Sequence, residues 1–391
     1  MAIEKKQVLT VRNIRNVNVE NILQSVIQTS NMTRTVLAKE NHISVMTVKH
    51  VVDDLIAAHI LEEKDYRTSD VGRNPKVLAL TEEYGNIVCV NLTSEDETSF
   101  LIYDIYENIL VNKSFATEGM TDYAELMEKI ICEIQSELKH ISSETVGIAV
   151  FVPSAYDEET DMVNYDLIPG FKNLHIRSLF GERFDISTIL VLHDVFAAAR
   201  SEYDRLDAEM ESQFYFYCGY GVGGFFIHKG ENIAGAENMA GEIGKMLVSV
   251  EGKDERVLED LVSISSIKRR MKEKGITGHF SELLEQYQIG NENAVEVMDD
   301  ILNTLSRVLY NMLWVYNPTR VVIDSCNREY SKIIIEAFTA FMESMKNDAI
   351  PIHAKISQAR YDEYHMMRGC FHMVRNAWIE ELALSLAGTT S

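Results

Sequence analysis

The chain has 391 residues, 46% of them hydrophobic and 25% charged, the balance of an ordinary globular protein with room for two or three domains. No apolar run reaches the roughly 18 residues of a membrane-spanning helix, and a net charge of −23 excludes a chain built throughout to wrap nucleic acid. The charge is uneven: residues 1–80 hold 11 Lys and Arg against 9 Asp and Glu, a balance of +2, and the rest hold 26 against 51, a balance of −25.

That contrast predicts a small head able to approach a polyanion and a large acidic body that is not. The opening MAIEKKQVLTVRNIRN lacks the apolar segment of a signal peptide. Cys89, Cys132, Cys218, Cys326 and Cys370 are scattered without metal or disulfide spacing. The expectation is a cytoplasmic protein with reduced thiols, no metal, no cofactor and no membrane partner.

The first predicted helix carries Val19, Ile22, Leu23, Val26 and Ile27 on one face, with Asn18 ahead as its cap. Thr33 caps a second helix, TRTVLAKE. After the short turn NHI, Ser44 caps a third, VMTVKHVVDDLIAAH. Its inward stripe is expected to be Val45, Val48, Val51, Val52, Leu55 and Ile56, with Met46, Thr47, Lys49, His50 and Asp53 outward. Two short helices, a tight turn and a longer third helix make a helix-turn-helix.

Ile60–Glu63 and Lys76–Leu80 then read as the strands of a wing whose loop, VGRNPK, presents Arg73, Asn74 and Lys76. Arg and Lys side chains and helix N-termini are the usual holders of phosphate. Thr33, Arg34, Ser44, Met46, Thr47, Lys49, His50, Arg73, Asn74 and Lys76 are therefore the expected contacts to a double-stranded DNA operator. With only Lys49 and His50 as cations on the third helix, one copy should bind weakly and salt-sensitively. A homodimer or dimer of dimers on a palindromic operator would compensate. A three-helix packing module is the competing reading.

From residue 81 the pattern alternates. NIVCVNL and SFLIYDI read as strands, DYAELMEKIICEIQSELKH as a helix, and TVGIAVFVP and STILVLHD as further strands. VFAAARSEYDRL is a helix, and QFYFYCGYGVGGFFIHKG is a hairpin through a Gly-rich turn. Long helices near Asn293–Val315, Tyr330–Asn347 and Glu363–Leu384 alternate with strands RVVIDS and IHAKIS. The fold class is α/β, with two similar lobes expected around a cleft.

The ordered set GRNPK, LHDVFAAARSEY, GYGVGGFF and AGEIGK resembles the ROK family of bacterial sugar-responsive repressors, uncharacterised frames and sugar kinases, over nearly the whole chain. The resemblance implies a winged helix-turn-helix DNA-binding domain over 1–80. It implies a two-lobed actin-like, hexokinase-like body over 81–391 that binds an effector in a cleft near 190–260 and dimerises. ROK members with such a head regulate sugar-utilisation genes.

The kinases of the family hold phosphate on an Asp-x-Gly-Gly-Thr turn. The corresponding stretch here is VNLTSEDETSF, with Asn91 at the Asp position, no glycines, and Glu95, Asp96 and Glu97, which repel a triphosphate. Phe225 fills the last glycine of the second phosphate loop, where a benzyl group blocks close backbone approach. The late glycine pair reads VVIDSCNRE instead. No kinase activity is expected.

The family's sugar-binding Asn-Asp pair is His193-Asp194 here, Asp194 matching the catalytic base. Glu242 matches a sugar-binding Glu, and Glu259 lies where a second would stand. Lys245 replaces a His that contacts sugar and zinc, EGKDERVLE has none of the zinc-ribbon cysteines, and Ser154 replaces a usual Gly. The resemblance thus implies ligand binding by His193, Asp194, Glu242, Lys245 and Glu259, with no catalytic residue. Carboxylates accept hydrogen bonds from vicinal hydroxyls and so grip polyols.

Lys245 is left open between pairing with Glu242 or Glu259 and meeting an acidic or phosphorylated sugar. An effector between the lobes would alter their angle and the spacing of two heads. The late helix with YHMMRGCFHMVRNAW is a candidate dimer surface or a core helix. The alternatives are a sugar kinase with a DNA-binding head and a constitutive DNA-binding dimer with a vestigial cleft.

Overall fold

Val19, Ile22, Leu23, Val26 and Ile27 are all buried along one face of α1 (Val11–Gln28), the stripe expected of them. The structure, a computed structural model, describes residues 11–29, 31–65, 76–82, 84–93, 97–116, 123–152, 156–163, 171, 174–203, 211–236, 239–249, 255–345, 353–360 and 365–388. α1 starts well before Asn18, which is an interior helical residue and not a cap. Ahead of the stripe Val11, Ile14 and Val17 recur at every third residue, but Ile14 and Val17 are exposed and lie off the buried face.

Thr33 and Ser44 do cap their helices. Thr33 Oγ1 accepts the Val36 N–H (3.3 Å) at the head of α2 (Arg34–Glu40). Ser44 Oγ accepts the Thr47 N–H (3.0 Å) at the head of α3 (Val45–Ala57). Val48, Val51, Val52 and Leu55 are buried on α3. Val45, at the margin of that stripe and in an uncovered first turn, is 57% exposed, contrary to its expected inward place.

β1 (Leu61–Asp65) pairs antiparallel with β2 (Lys76–Leu80), from Leu61 opposite Leu80 to Asp65 opposite Lys76. The Leu78 N–H donates to the Met32 carbonyl (2.8 Å) and ties the wing back to the turn before α2. The wing loop, with Arg73 and Asn74, lies outside the described residues.

The chain divides into two compact units, Met1–Leu192 with Cys370–Ser391 and His193–Gly369. Beyond the head, the first unit holds β3 (Tyr84–Asn91), β4 (Glu97–Asp104), β5 (Ile109–Ala116), α4 (Tyr123–Leu138), β6 (Glu144–Val152), β7 (Tyr156–Asp157), β8 (Met162–Val163), α5 (Ile176–Phe184) and β9 (Ile189–His193). Its five-stranded sheet runs β5-β4-β3-β6-β9. β3 pairs antiparallel with β4 and parallel with β6. Alternate residues Val88, Val90, Phe100, Ile102, Ile148 and Val150 form one core with Ile130 and Ile134 of α4 and Phe180 of α5.

The second unit holds α6 (Asp194–Tyr203), β10 (Ser212–Cys218), β11 (Val222–His228), β12 (Glu231–Asn232), β13 (Leu247–Val248), β14 (Arg256–Val257), α7 (Glu259–Val262), α8 (Ile264–Glu273), α9 (Phe280–Gln288), α10 (Glu292–Tyr316), β15 (Arg320–Asp324), α11 (Arg328–Ser344) and β16 (Lys355–Gln358). Its main sheet runs β12-β11-β10-β15-β16, the same order by chain position as in the first unit. β10–β11 is antiparallel, and β10–β15 and β15–β16 are parallel. Helices α7 to α11 share a core with Phe214, Phe216, Val321 and Ile323. α6 joins a separate core through Val195, Ala198 and Ala199 with Tyr215, Phe225 and Val322.

The last helix, α12 (His365–Gly388), covers the other face of the first sheet. Phe371 packs on Tyr103 (5.1 Å between rings) and Trp378 on Tyr84 (6.0 Å). A Cβ at Gly147 would lie 2.3 Å from Val374 Cγ1, so only glycine admits the helix there. Cys370, Phe371, Val374 and Ile379 are buried, which makes this stretch a core helix of the first unit.

Candidate functional site

β9 ends at His193 and α6 begins at Asp194, so the strand delivers this pair to a helix N-terminus. Asp194 Oδ1 accepts the Val195 N–H at 2.7 Å. Burial pushes the Asp194 carboxyl above its usual range; His193 beside it works the other way, and Asp324 adds to the rise. His193 Nδ1 lies 3.7 Å from Asp194 Oδ1, too far for a hydrogen bond. That nitrogen is buried and takes no hydrogen bond among the described residues. The imidazole ring rests against Phe225, 5.6 Å between centroids.

Glu242 is placed by glycine. Gly241 has φ +99°, and a Cβ there would fall 1.8 Å from the Gly224 carbonyl. The Gly224 N–H donates to the Gly241 carbonyl (2.9 Å), so the AGEIG turn lies backbone to backbone on β11. A 3₁₀ turn over Ile243–Lys245 follows directly, with half-buried Glu242 at its head.

Lys245 Nζ pairs with Glu259 Oε1 at 3.1 Å, and Glu259 Oε2 accepts the Val222 N–H at 3.1 Å. Both oxygens of Glu259 are thereby engaged. Glu242 takes no side-chain partner among the described residues. β11 joins the two groups. Val222 holds Glu259, Gly223 faces Val195, and Phe225 packs between His193 and Phe196 (5.4 Å).

The phosphate-loop departures have structural consequences. Asn91 Oδ1 accepts from the Thr93 N–H (3.0 Å) and hydroxyl (2.8 Å), a local turn. Phe225 is a core residue, its ring turned into the cluster under α6. Asp324 is buried, accepting the Tyr215 hydroxyl and the Ser325 N–H (2.8 Å). Glu95, Asp96 and Ser154 lie outside the described residues. No group of three or more His, Cys, Asp or Glu able to hold a metal occurs among the described residues.

In the head, Met46, Lys49 and His50 are exposed on α3. Arg34 is engaged within the protein. Its Nη1 meets Asp53 Oδ1 (2.5 Å), its Nε meets Glu63 Oε1 (3.1 Å), and Nη1 also reaches the Lys49 carbonyl (3.5 Å). Lys76 Nζ binds the other Glu63 oxygen at 3.0 Å. The cations hold the Asp53 and Glu63 carboxyls below their usual range, chiefly through the Arg34 and Lys76 hydrogen bonds respectively. Asp53 and Glu63 were not among the expected site residues. The acidic pairs VVDD and LEE were the visible signal for them.

Residues 89–377 match the ROK family. The chain belongs to the ROK family. Among curated ROK-type relatives, the xylose repressor of Staphylococcus xylosus is 24% identical over 330 residues, covering 80% of this chain and 82% of that protein. A solved ROK family transcriptional regulator, a homologue of the E. coli MLC protein, superposes with a TM-score of 0.78 at 16% identity, covering 96% of this chain and 99% of that one. The ROK hexokinase of Thermus thermophilus has a TM-score of 0.60 at 17% identity, covering 77% of this chain and 99% of the enzyme. The likeness to the regulator extends over the N-terminal helices, and the fold is the ROK body preceded in the chain by a helical head with a two-stranded wing. No helix among the described residues is long and apolar enough to cross a membrane.

Proposed function

We propose that the chain is a sugar-responsive transcriptional repressor that binds operator DNA through α3 and the wing and does not transfer phosphate. The observation that carries this reading is a capped, outward-facing third helix ahead of a ROK body, in a chain similar from end to end to a ROK regulator. The operator would be palindromic and the binding species a homodimer or dimer of dimers.

Glu242, the Asp194 carboxylate and the His193 nitrogen are the groups left to accept or exchange hydrogen bonds with a polyol. Glu259 and Lys245 act as a neutral buttress beside them, held by each other and by β11. The effector is a neutral sugar, and the relatives named xylose repressor make xylose the first to try. It releases or recruits DNA only by binding two arrangements of the chain with different affinity.

The test uses the full chain. A random-duplex library is enriched for bound DNA, and anisotropy on the enriched duplex is repeated with xylose and other sugars. One enriched sequence released by one neutral sugar is the expected result. No enrichment, or sugar-dependent ATP turnover, overturns the reading.

A further inference from the structure

At the head of α3 two large apolar side chains stand in water side by side: Val45 is 57% exposed and Met46 61%. Isolated exposed apolar residues are common on protein surfaces. This pair is neither isolated nor arbitrarily placed. It occupies the first turn of the helix whose N-terminal residues meet base edges in a helix-turn-helix.

The polar groups of the same turn are already used. Ser44 Oγ and Thr47 Oγ1 lie 2.8 Å apart, and Ser44 Oγ also takes the Thr47 N–H. Both hydroxyls therefore serve the cap. One turn on, Lys49 and His50 are exposed, Lys49 suited to phosphate or guanine. The carboxylate of Asp53, next along that face, is held by Arg34. What the first turn offers a partner is an apolar surface bordered by positive charge.

The major groove has one apolar feature, the C5 methyl of thymine. We infer that Val45 and Met46 read thymine methyl groups, so that each operator half-site carries thymine opposite the start of α3. The positive border favours this occupant over a second apolar protein surface, since the phosphates flanking a groove complement Lys49. The inference rests on the proposed DNA-binding reading and adds to it the chemistry by which bases are chosen.

The test takes the duplex enriched by the full chain and replaces its thymines one at a time with deoxyuridine, which removes only the methyl. Wild type and the Val45→Ala, Met46→Ala and doubly substituted chains are compared by anisotropy. Both positions are exposed and alanine is the best helix former, so folding is retained, checked by thermal melting.

The expected result is a loss of about fourfold, the worth of one buried methyl, at one or more thymines per half-site in wild type. That loss should shrink to near nothing in the double variant. Losses within about twofold at every thymine overturn the inference, as does methyl sensitivity that survives both alanines. Failure to enrich any duplex would remove the DNA-binding reading itself. Enrichment without methyl sensitivity removes only this inference.

Discussion

Lys245 and Glu259 hold each other at 3.1 Å, and the second oxygen of Glu259 is fixed by the Val222 backbone. A lysine already paired has little charge to offer an anionic ligand. The chain should therefore respond to neutral sugars and not to their phosphates in a thermal-shift panel. Glu259→Gln removes the charge that Lys245 is paired with and should bring in a response to sugar phosphates. The ion pair is partly exposed, so Lys245→Ala should change stability by less than about 1 kcal/mol. A wild-type chain that shifts more with a sugar phosphate than with the parent sugar would contradict the pairing.

Asp194 supplies a pH dependence of definite sign. Its carboxyl titrates higher in the folded chain than its usual 3.8, chiefly through burial. Between the two values the folded state holds the proton more tightly than the unfolded state, so this group's contribution falls as pH rises through that interval. Above that interval the penalty of a buried charge is fully present, and at neutral pH, above the usual carboxylate range, it is already felt. Asp194→Asn should thus raise the urea midpoint at pH 7, and the gain should fade as pH approaches the ordinary carboxylate range. A gain independent of pH, or a loss at pH 7, would show that the carboxylate is not burdened by burial. The same variant should weaken sugar binding, the usual trade between a site and its stability.

Phe225 separates a lost phosphate loop from a merely obstructed one. If its ring lay over an intact loop, trimming it would open the loop. Instead the ring is 9% exposed and packed between His193 and Phe196. Phe225→Ala should cost about 3–5 kcal/mol, as for other large core truncations. It should yield no sugar-dependent ATP turnover in a coupled assay. A stable variant with new turnover would mean that the ring, and not the absent glycines and added carboxylates, blocks catalysis.

The head was legible in the sequence because each of its determinants is local. Capping residues sit next to the helices they cap, and Thr33 and Ser44 both accept the expected N–H. Helical periodicity marked Val48, Val51, Val52 and Leu55 as buried, but it does not say where the covering surface stops, and Val45 lies past that limit. Asn18 failed as a cap because α1 begins at Val11, with Ile14 and Val17 of its first turns exposed and off the buried stripe.

In the second unit the glycine turn at Gly241 was legible, while the partner of Lys245 was not. That partner is chosen by where β11 holds Glu259, a tertiary matter. Helices α7 and α9 span only four and nine residues, whereas α8, with Ser263 as its cap and Ile264, Ile267 and Met271 at helical spacing, carried a signal that the sequence reading missed.

Arg34 joins three elements whose contacts no periodicity connects, with Asp53 19 positions away and Glu63 29 away. Its guanidinium is spent on fixing α3 against the wing, whereas Lys49 stands exposed. The two cations should therefore separate in a salt titration of DNA binding. Each phosphate neutralised contributes about 0.9 to the slope of log affinity against log salt. Lys49→Ala should flatten the slope by about that amount per head. Arg34→Ala should leave the slope nearly unchanged and lower affinity for the enriched operator more than for random duplex, because it disorders the reading helix without removing a phosphate contact. Glu63→Gln, which releases Lys76 and leaves Arg34 held by Asp53 alone among its carboxylates, should steepen the slope and raise affinity for random duplex. A flattening with Arg34→Ala equal to that with Lys49→Ala would place Arg34 on the phosphate backbone in the complex and make its ion pairs a feature of the free protein alone.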